Sequence, residues 1–259
     1  MPNGQARNLQ TPPLSWRRTI RWRKPEAIGN REKQRSVFYQ MTVSVYSYTI
    51  YHSPNAHLGT VLLRRAMSDL PGVALVRRPI YVPRERGLMI ADLLGGKENK
   101  NAGSYSREDC RRWSERFSIP VSYPDPHVFH ERAQRWTASP FAREELPARA
   151  FYATDPRKRD NLDRDLFEAA WVEGLDVNEP ATIAWAAECA GLDPKRLMAA
   201  LNESWPAEEV RRALEEFDRL QCPGVPTVIV NGHRFFGKDR VDWVADFCRA
   251  QGAGHQTVL

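Results

Sequence analysis

Two short stretches of the chain place residue types where they can do chemistry. The first is Ser53-Pro54, directly after an apolar run and directly before a helical pattern. Backbone N–H groups at a helix N-terminus carry a partial positive charge that favours a thiolate or another anion. A serine there can donate a hydrogen bond to a ligand sulfur and lower its pKa, or it can act as a plain N-cap. The second stretch is Cys222-Pro223-Gly224-Val225-Pro226-Thr227, a glycine turn with a proline opening a strand. Val225–Pro226 is a candidate cis bond, which would turn the Val225 backbone groups toward an extended peptide ligand; a trans proline at a strand start is the alternative. His57 lies one turn into the helix and is either a substrate-facing acid or base or a packing residue.

The elements that hold these residues are legible from periodicity. Val43–Ile50 reads as a strand, and Ala56–Leu70 spaces its apolar residues as a helix. Pro71-Gly72 stops that helix, and Val73–Ile80 reads as a second strand. A strand–helix–strand unit of this length puts the two strands parallel. The middle of the chain is helical. Ser106 opens a capping-box pattern ahead of a helix through Phe117, and further helices are expected over Phe141–Thr154, Leu162–Glu173, Pro180–Cys189, Pro194–Leu201 and Pro206–Leu220. Thr227–Val230 and Arg234–Phe236 flank Asn231-Gly232, a strong hairpin signal, and a closing helix spans Asp239–Arg249. The economical assembly is an α/β four-stranded mixed sheet interrupted by helices. That divides the chain into residues 41–82 with 221–252, an all-helical insertion over 83–220, and a leader over 1–40.

The net charge of +6 is concentrated in the leader, where nine Lys/Arg face two acidic residues; the remainder is close to neutral. The high pI therefore gives no reason to expect nucleic acid on the folded body. The leader reads as a flexible basic segment, with an acidic-partner tail or an organelle-targeting segment as alternatives. It has no apolar h-region, and no apolar run approaches the roughly 20 residues that span a bilayer, so no membrane contact is expected. Cys110, Cys189, Cys222 and Cys248 form neither a CxxC nor a zinc spacing, so no metal is expected. The pattern suits a reduced, cytoplasmic protein.

The Ser-Pro turn, the helical insert, Gly224-Val225-Pro226-Thr227 and Phe235-Phe236-Gly237-Lys238-Asp239-Arg240 recur in this order in a known family. The stretches Asp109–Trp113, Phe167–Asp176 and Ala190–Asp193 add to the match. The chain resembles the 2-hydroxychromene-2-carboxylate isomerases and the related kappa-class glutathione transferases, a DsbA-like branch of the thioredoxin superfamily. The resemblance covers about Val43 to Phe247 and implies a thioredoxin-like fold.

It also implies roles. Ser53 falls where redox relatives carry the first Cys of CxxC, and would contact the glutathione sulfur. Val225, with Pro226, would pair its backbone with the cysteinyl part of glutathione. Asp239 would hold the γ-glutamyl amine, a charge-assisted contact, with Lys238 near the same ligand end. The family's glutathione-contacting Asn has no clean match; Asn101, in the stretch Gly95–Asn101, is one candidate. Asn55 stands where the family carries an aromatic, and His57 where it carries a small residue. With Ser53 and Ala56 at the two CxxC positions, dithiol exchange is excluded at this turn. The activity implied is a glutathione-dependent isomerisation of a small aromatic-degradation intermediate. A kappa-like glutathione transferase and a non-catalytic partner-binding module are the alternatives, and a homodimer is left open.

Overall fold

The computed structural model describes residues 42–86 and 100–252, without the side chains of 100–104 and 126. The leader, the segment Gly95–Asn99 and the Asn101 side chain lie outside the described residues. Strand β1 (Val43–Thr49) alternates so that Val43 and Val45 are buried against helix α1 (Pro54–Ser68), while Tyr48 packs edge-on against Phe217 on the opposite face, 5.7 Å between rings. Successive side chains of a strand point to opposite faces, so β1 is covered on both. β2 (Val73–Pro79) pairs with β1 in parallel, Val43 opposite Val73. β3 (Thr227–Val230) pairs antiparallel on the other side, Tyr46 opposite Ile229, and β4 (His233–Phe236) pairs antiparallel with β3. The sheet order is β2-β1-β3-β4. Asn231 and Gly232 both take positive φ, 48° and 83°, the geometry that a two-residue hairpin demands.

Between β2 and β3 the described chain is helical: α2 (Lys100–Phe117), α3 (Pro126–Ala138), α4 (Glu145–Ala153), α5 (Arg159–Trp171), α6 (Pro180–Cys189), α7 (Pro194–Ala200) and α8 (Ser204–Arg219). A 3-10 turn over Lys238–Arg240 leads into α9 (Val241–Ala250). Two expectations are corrected and one helix is added. α2 begins at Lys100, so Ser106 lies inside the helix and caps nothing. α4 begins at Glu145 rather than Phe141. α3 was not expected; Asp125 caps it by accepting from the His127 N–H at 2.8 Å, and Pro126 opens it.

One core lies between α1, α9 and one face of the sheet, including Leu58, Leu63, Val228, Val230 and Val244. A second, on the opposite face, joins Tyr48 and Ile229 to Phe151, Val210 and Leu214 of the helices. A third lies within the helical block, including Leu146, Leu162, Leu166, Phe167 and Ile183, and takes in Tyr51 and Ala56 around the start of α1. Buried polar groups sew sheet to helices. Arg77 on β2 donates to Asp163 of α5 at 3.0 Å, to Ser47 at 2.7 Å, to Thr49 at 3.2 Å and to Thr60 at 2.9 Å. Such a buried cation is tolerable only because its donors are met.

Candidate functional site

Ser53 sits in extended conformation (φ −103°, ψ 115°) as the N-cap of α1, and its Oγ accepts from the Ala56 N–H at 3.2 Å. The cap uses the oxygen as acceptor, so the hydroxyl proton remains free to point away from the helix. No acidic residue occupies the first turn to offset the positive helix end. Ser53 is therefore the N-cap of α1, and the cap leaves its hydroxyl proton unused.

Around the first turns of α1 the structure gathers residues from far along the chain. The Val225–Pro226 peptide is cis, with Val225 half-buried and Pro226 buried. A Cβ on Gly59 would meet Pro226 Cγ at 2.9 Å and Lys238 Cα at 3.4 Å, so only glycine allows the proline loop and the Lys238 turn to lie this close to α1. Lys238 is buried, its Nζ donating to Asn55 Oδ1 at 2.8 Å and to Asp109 Oδ2 at 2.5 Å, with the Trp113 ring 5.2 Å away. Asn55 also accepts from Cys110 Sγ at 3.4 Å. The residue standing in place of an aromatic is therefore the tether that ties Lys238 to α1. Asp239 is exposed beside Arg240, 3.4 Å away, and its carboxylate occupies the space a Cβ on Gly237 would fill.

Burial raises the thiols of Cys110 and Cys222, the latter to about 11, so neither is a ready thiolate. His57 is a packing residue. It is 5% exposed, burial lowers its pKa to about 4, and its Nε2 donates to the Pro120 carbonyl at 3.0 Å. It lines a pocket of about 220 Å³ with Thr60, Arg64 and Phe167, and Ser53 is not among the lining residues.

A second cluster lies immediately before Ser53, and sequence reasoning missed it. Glu144, fully buried, accepts from the Tyr51 N–H at 2.7 Å and the His52 N–H at 3.2 Å. The same carboxylate lies 2.7 Å from His52 Nδ1, and Asp176 lies 3.3 Å from His52 Nε2. Burial works against a charged His52, but Glu144 and Asp176 outweigh it and its pKa is raised. Burial likewise resists the Asp176 charge, yet its partners, His52 foremost, hold it at about 2. Glu144 is also lowered against its burial, with His52 the leading cause. Glu144 adopts φ 70°, a costly conformation for a non-glycine residue, and its N–H is held by Asn178 Oδ1 at 2.8 Å. Among the described residues no group of three or more His, Cys, Asp and Glu could hold a metal ion.

A sheet built from βαβ and ββα halves, helices between them and a capped β1–α1 turn facing a proline loop define the architecture. Residues 44–249 match the DSBA-like thioredoxin domain. The chain belongs to that family. Within it, the chain is 23% identical over 217 residues to the 2-hydroxychromene-2-carboxylate isomerase of Sphingobium xenophagum, covering 80% of this chain and 98% of that protein. A solved 2-hydroxychromene-2-carboxylate isomerase superposes with a TM-score of 0.62 at 19% identity, covering 81% of this chain and 98% of the other. A probable DsbA oxidoreductase from Streptomyces coelicolor superposes as well, TM-score 0.63 at 16% identity, covering 84% and 92%. The likeness in structure thus spans isomerase and oxidoreductase relatives and shows the thioredoxin-like fold. No helix among the described residues is long and apolar enough to cross a membrane.

Proposed function

We propose that this chain is a glutathione-dependent isomerase acting on a small aromatic intermediate of the 2-hydroxychromene-2-carboxylate type. The observation that carries the reading is Ser53, a hydroxyl whose proton the cap leaves unused, at the N-terminus of an α1 with no acidic residue in its first turn, in a chain whose CxxC positions hold Ser53 and Ala56. That turn has no thiol of its own and is built to receive one. The 23% identity over nearly the full length of an isomerase supports the same reading.

The residues present suit a zwitterionic thiol tripeptide. Ser53 and the helix end suit a thiolate, Asp239 suits an ammonium, and Lys238 keeps one N–H beyond the two given to Asn55 and Asp109. Gly59 leaves Pro226 and Val225 close against α1, where an extended ligand would lie. When bound, glutathione would supply a nucleophilic sulfur that adds to a conjugated carbon and is then released unchanged. Ser53 donates to that sulfur and the helix N-terminus stabilises its charge. Buried His57, with its pKa at about 4, takes no part as an acid at neutral pH.

The test is calorimetric titration of glutathione into the full chain and into Ser53→Ala, from about pH 6 to 9 around the thiol's reference pKa of roughly 8.5. Saturable binding with proton release near neutral pH, suppressed in Ser53→Ala, is the expected result. Absence of binding at millimolar glutathione would sink the reading. Product analysis then separates an isomerase, which returns free glutathione, from a transferase, which consumes it.

A further inference from the structure

The proposed chemistry uses Ser53 but not the charged cluster one residue before it. His52 has a carboxylate near each ring nitrogen: Glu144 is hydrogen-bonded to Nδ1 at 2.7 Å, and Asp176 lies 3.3 Å from Nε2 without a hydrogen bond to it. A neutral imidazole must present a lone pair on one nitrogen, and here that lone pair would face a buried carboxylate. Asn178 Nδ2 also approaches Nδ1, but at 3.4 Å, and the shorter carboxylate contact fixes the proton there.

The same Glu144 carboxylate that faces His52 receives the N–H groups of Tyr51 and His52. Its ionised form is sustained in the interior by His52 and by Arg143, which stands 3.5 Å away and is itself buried. Asp176 is oriented by Trp136 Nε1 at 2.9 Å and by the Asn178 N–H at 3.0 Å. From α3, Arg135 lies 3.8 Å from Asp176, and Arg132 also feels its charge. The Trp136 ring stacks at a tilt against His52, 4.9 Å between centroids, and carries Arg143 over its face. Three segments of the helical block therefore converge on one residue of the turn: α3, Arg143–Glu144 and Asp176–Asn178.

We propose that His52 is a positioning residue: held as an imidazolium between Glu144 and Asp176, it fixes the Tyr51–Ser53 backbone from which Ser53 and the α1 N-terminus act on the ligand sulfur. What the turn acts on rests on the glutathione reading; how the turn is held does not. Discharging His52 takes away the close cationic partner of Glu144, at 2.7 Å, and leaves it Arg143 at 3.5 Å. Glu144 then loses its charge or its place, and with it the acceptor for two backbone N–H groups. A hydroxyl one residue away loses its aim, and productive geometry tolerates only about 0.5 Å of drift.

Two measurements on the full chain test this. In the ligand-free protein, ¹⁵N NMR of the His52 ring and hydrogen exchange of the Tyr51 and His52 amides are followed for wild type, His52→Asn and the charge-balanced His52→Asn/Glu144→Gln. A doubly protonated ring at pH 7.5, and at least a roughly tenfold loss of protection at these two amides in the single variant, are expected. A neutral ring, or unchanged protection, overturns the proposal whether or not glutathione binds.

With glutathione added, the ultraviolet absorbance of the thiolate reads the pKa of the bound thiol. His52→Asn is expected to raise it by about one pH unit, a roughly tenfold loss of thiolate at fixed pH. Leu214→Ala, a core truncation on α8, controls for lost stability alone and should leave it unmoved. An equal rise in Leu214→Ala, or none in His52→Asn, overturns the positioning role. Wild type that binds no glutathione overturns the glutathione reading, and the ring and amide data still decide how the turn is held.

Discussion

His52 and His57 lie five positions apart in sequence and are shifted in opposite senses, so each gives the stability a pH-dependent limb of its own. His52 has a raised folded pKa, so its contribution is complete below the ordinary 6.5 and is lost as pH rises through the folded value. His57 is buried neutral with a folded pKa of about 4, so folding resists its protonation. Stability falls as pH drops from 6.5 toward 4, by an amount on the order of 3 kcal/mol. Asp176 and Glu144 are lowered; their contribution is present above the ordinary 3.8 and 4.5 and is lost below, for Asp176 through about 2. A stability maximum between about pH 6.5 and the His52 titration follows. Urea midpoints measured across pH should show both limbs. His57→Gln, which keeps a donor for the Pro120 carbonyl, should flatten the acid limb between about pH 6.5 and 4, and His52→Asn should remove the alkaline limb and also reduce the Glu144 and Asp176 contribution below it. Limbs unmoved by either substitution would assign the titrations elsewhere.

Gly59 shows how helix α1 is placed, and why its sequence misleads. Gly to Ala in a helix interior ordinarily gains up to about 1 kcal/mol. Here the added Cβ would meet Pro226 Cγ at 2.9 Å, and a proline ring has little room to yield. Gly59→Ala is therefore expected to lose about 1–3 kcal/mol in chemical denaturation and to weaken glutathione binding by parting the proline loop from α1. A gain in stability would show that the loop relaxes freely. The elements themselves were legible because their apolar periods are local: β1, α1 and the Asn231-Gly232 hairpin are each announced by neighbouring residues. α3 is hard to read locally because its stretch, Pro126–Ala138, is rich in His, Arg and Gln, and Asp125-Pro126 at its start is its clearest signal. Ser53 was legible as a cap with a donor for the same reason. The clamp on His52 was not, since Glu144 stands 92 positions away and meets His52 only when the helices fold over the turn. Nor was the tether of Lys238 to Asn55, 183 positions apart.

Sheet and helices meet at Tyr51, which is tied to the helical block at three points. Its N–H goes to Glu144 at 2.7 Å, its carbonyl accepts from Trp171 Nε1 at 2.7 Å, and its hydroxyl donates to Asp163 at 3.0 Å. Asp163 in turn takes Arg77 from the sheet and Arg64 from α1, at 3.0 and 2.7 Å. This fully buried carboxylate joins four elements, and removing its charge leaves Arg77 buried beside neutral hydroxyls. Asp163→Asn is expected to cost about 3–5 kcal/mol, the range for breaking a buried pair from one side. Replacing both partners, as in Asp163→Leu/Arg77→Met, should cost less than the single change, because no orphaned cation remains. Calorimetry distinguishes the outcomes. If the ion pair couples sheet to helices, the wild type unfolds in one transition, and Asp163→Asn shifts that transition down or splits it. A single variant as stable as wild type would mean that the apolar cores alone hold the helices over the Ser53 turn.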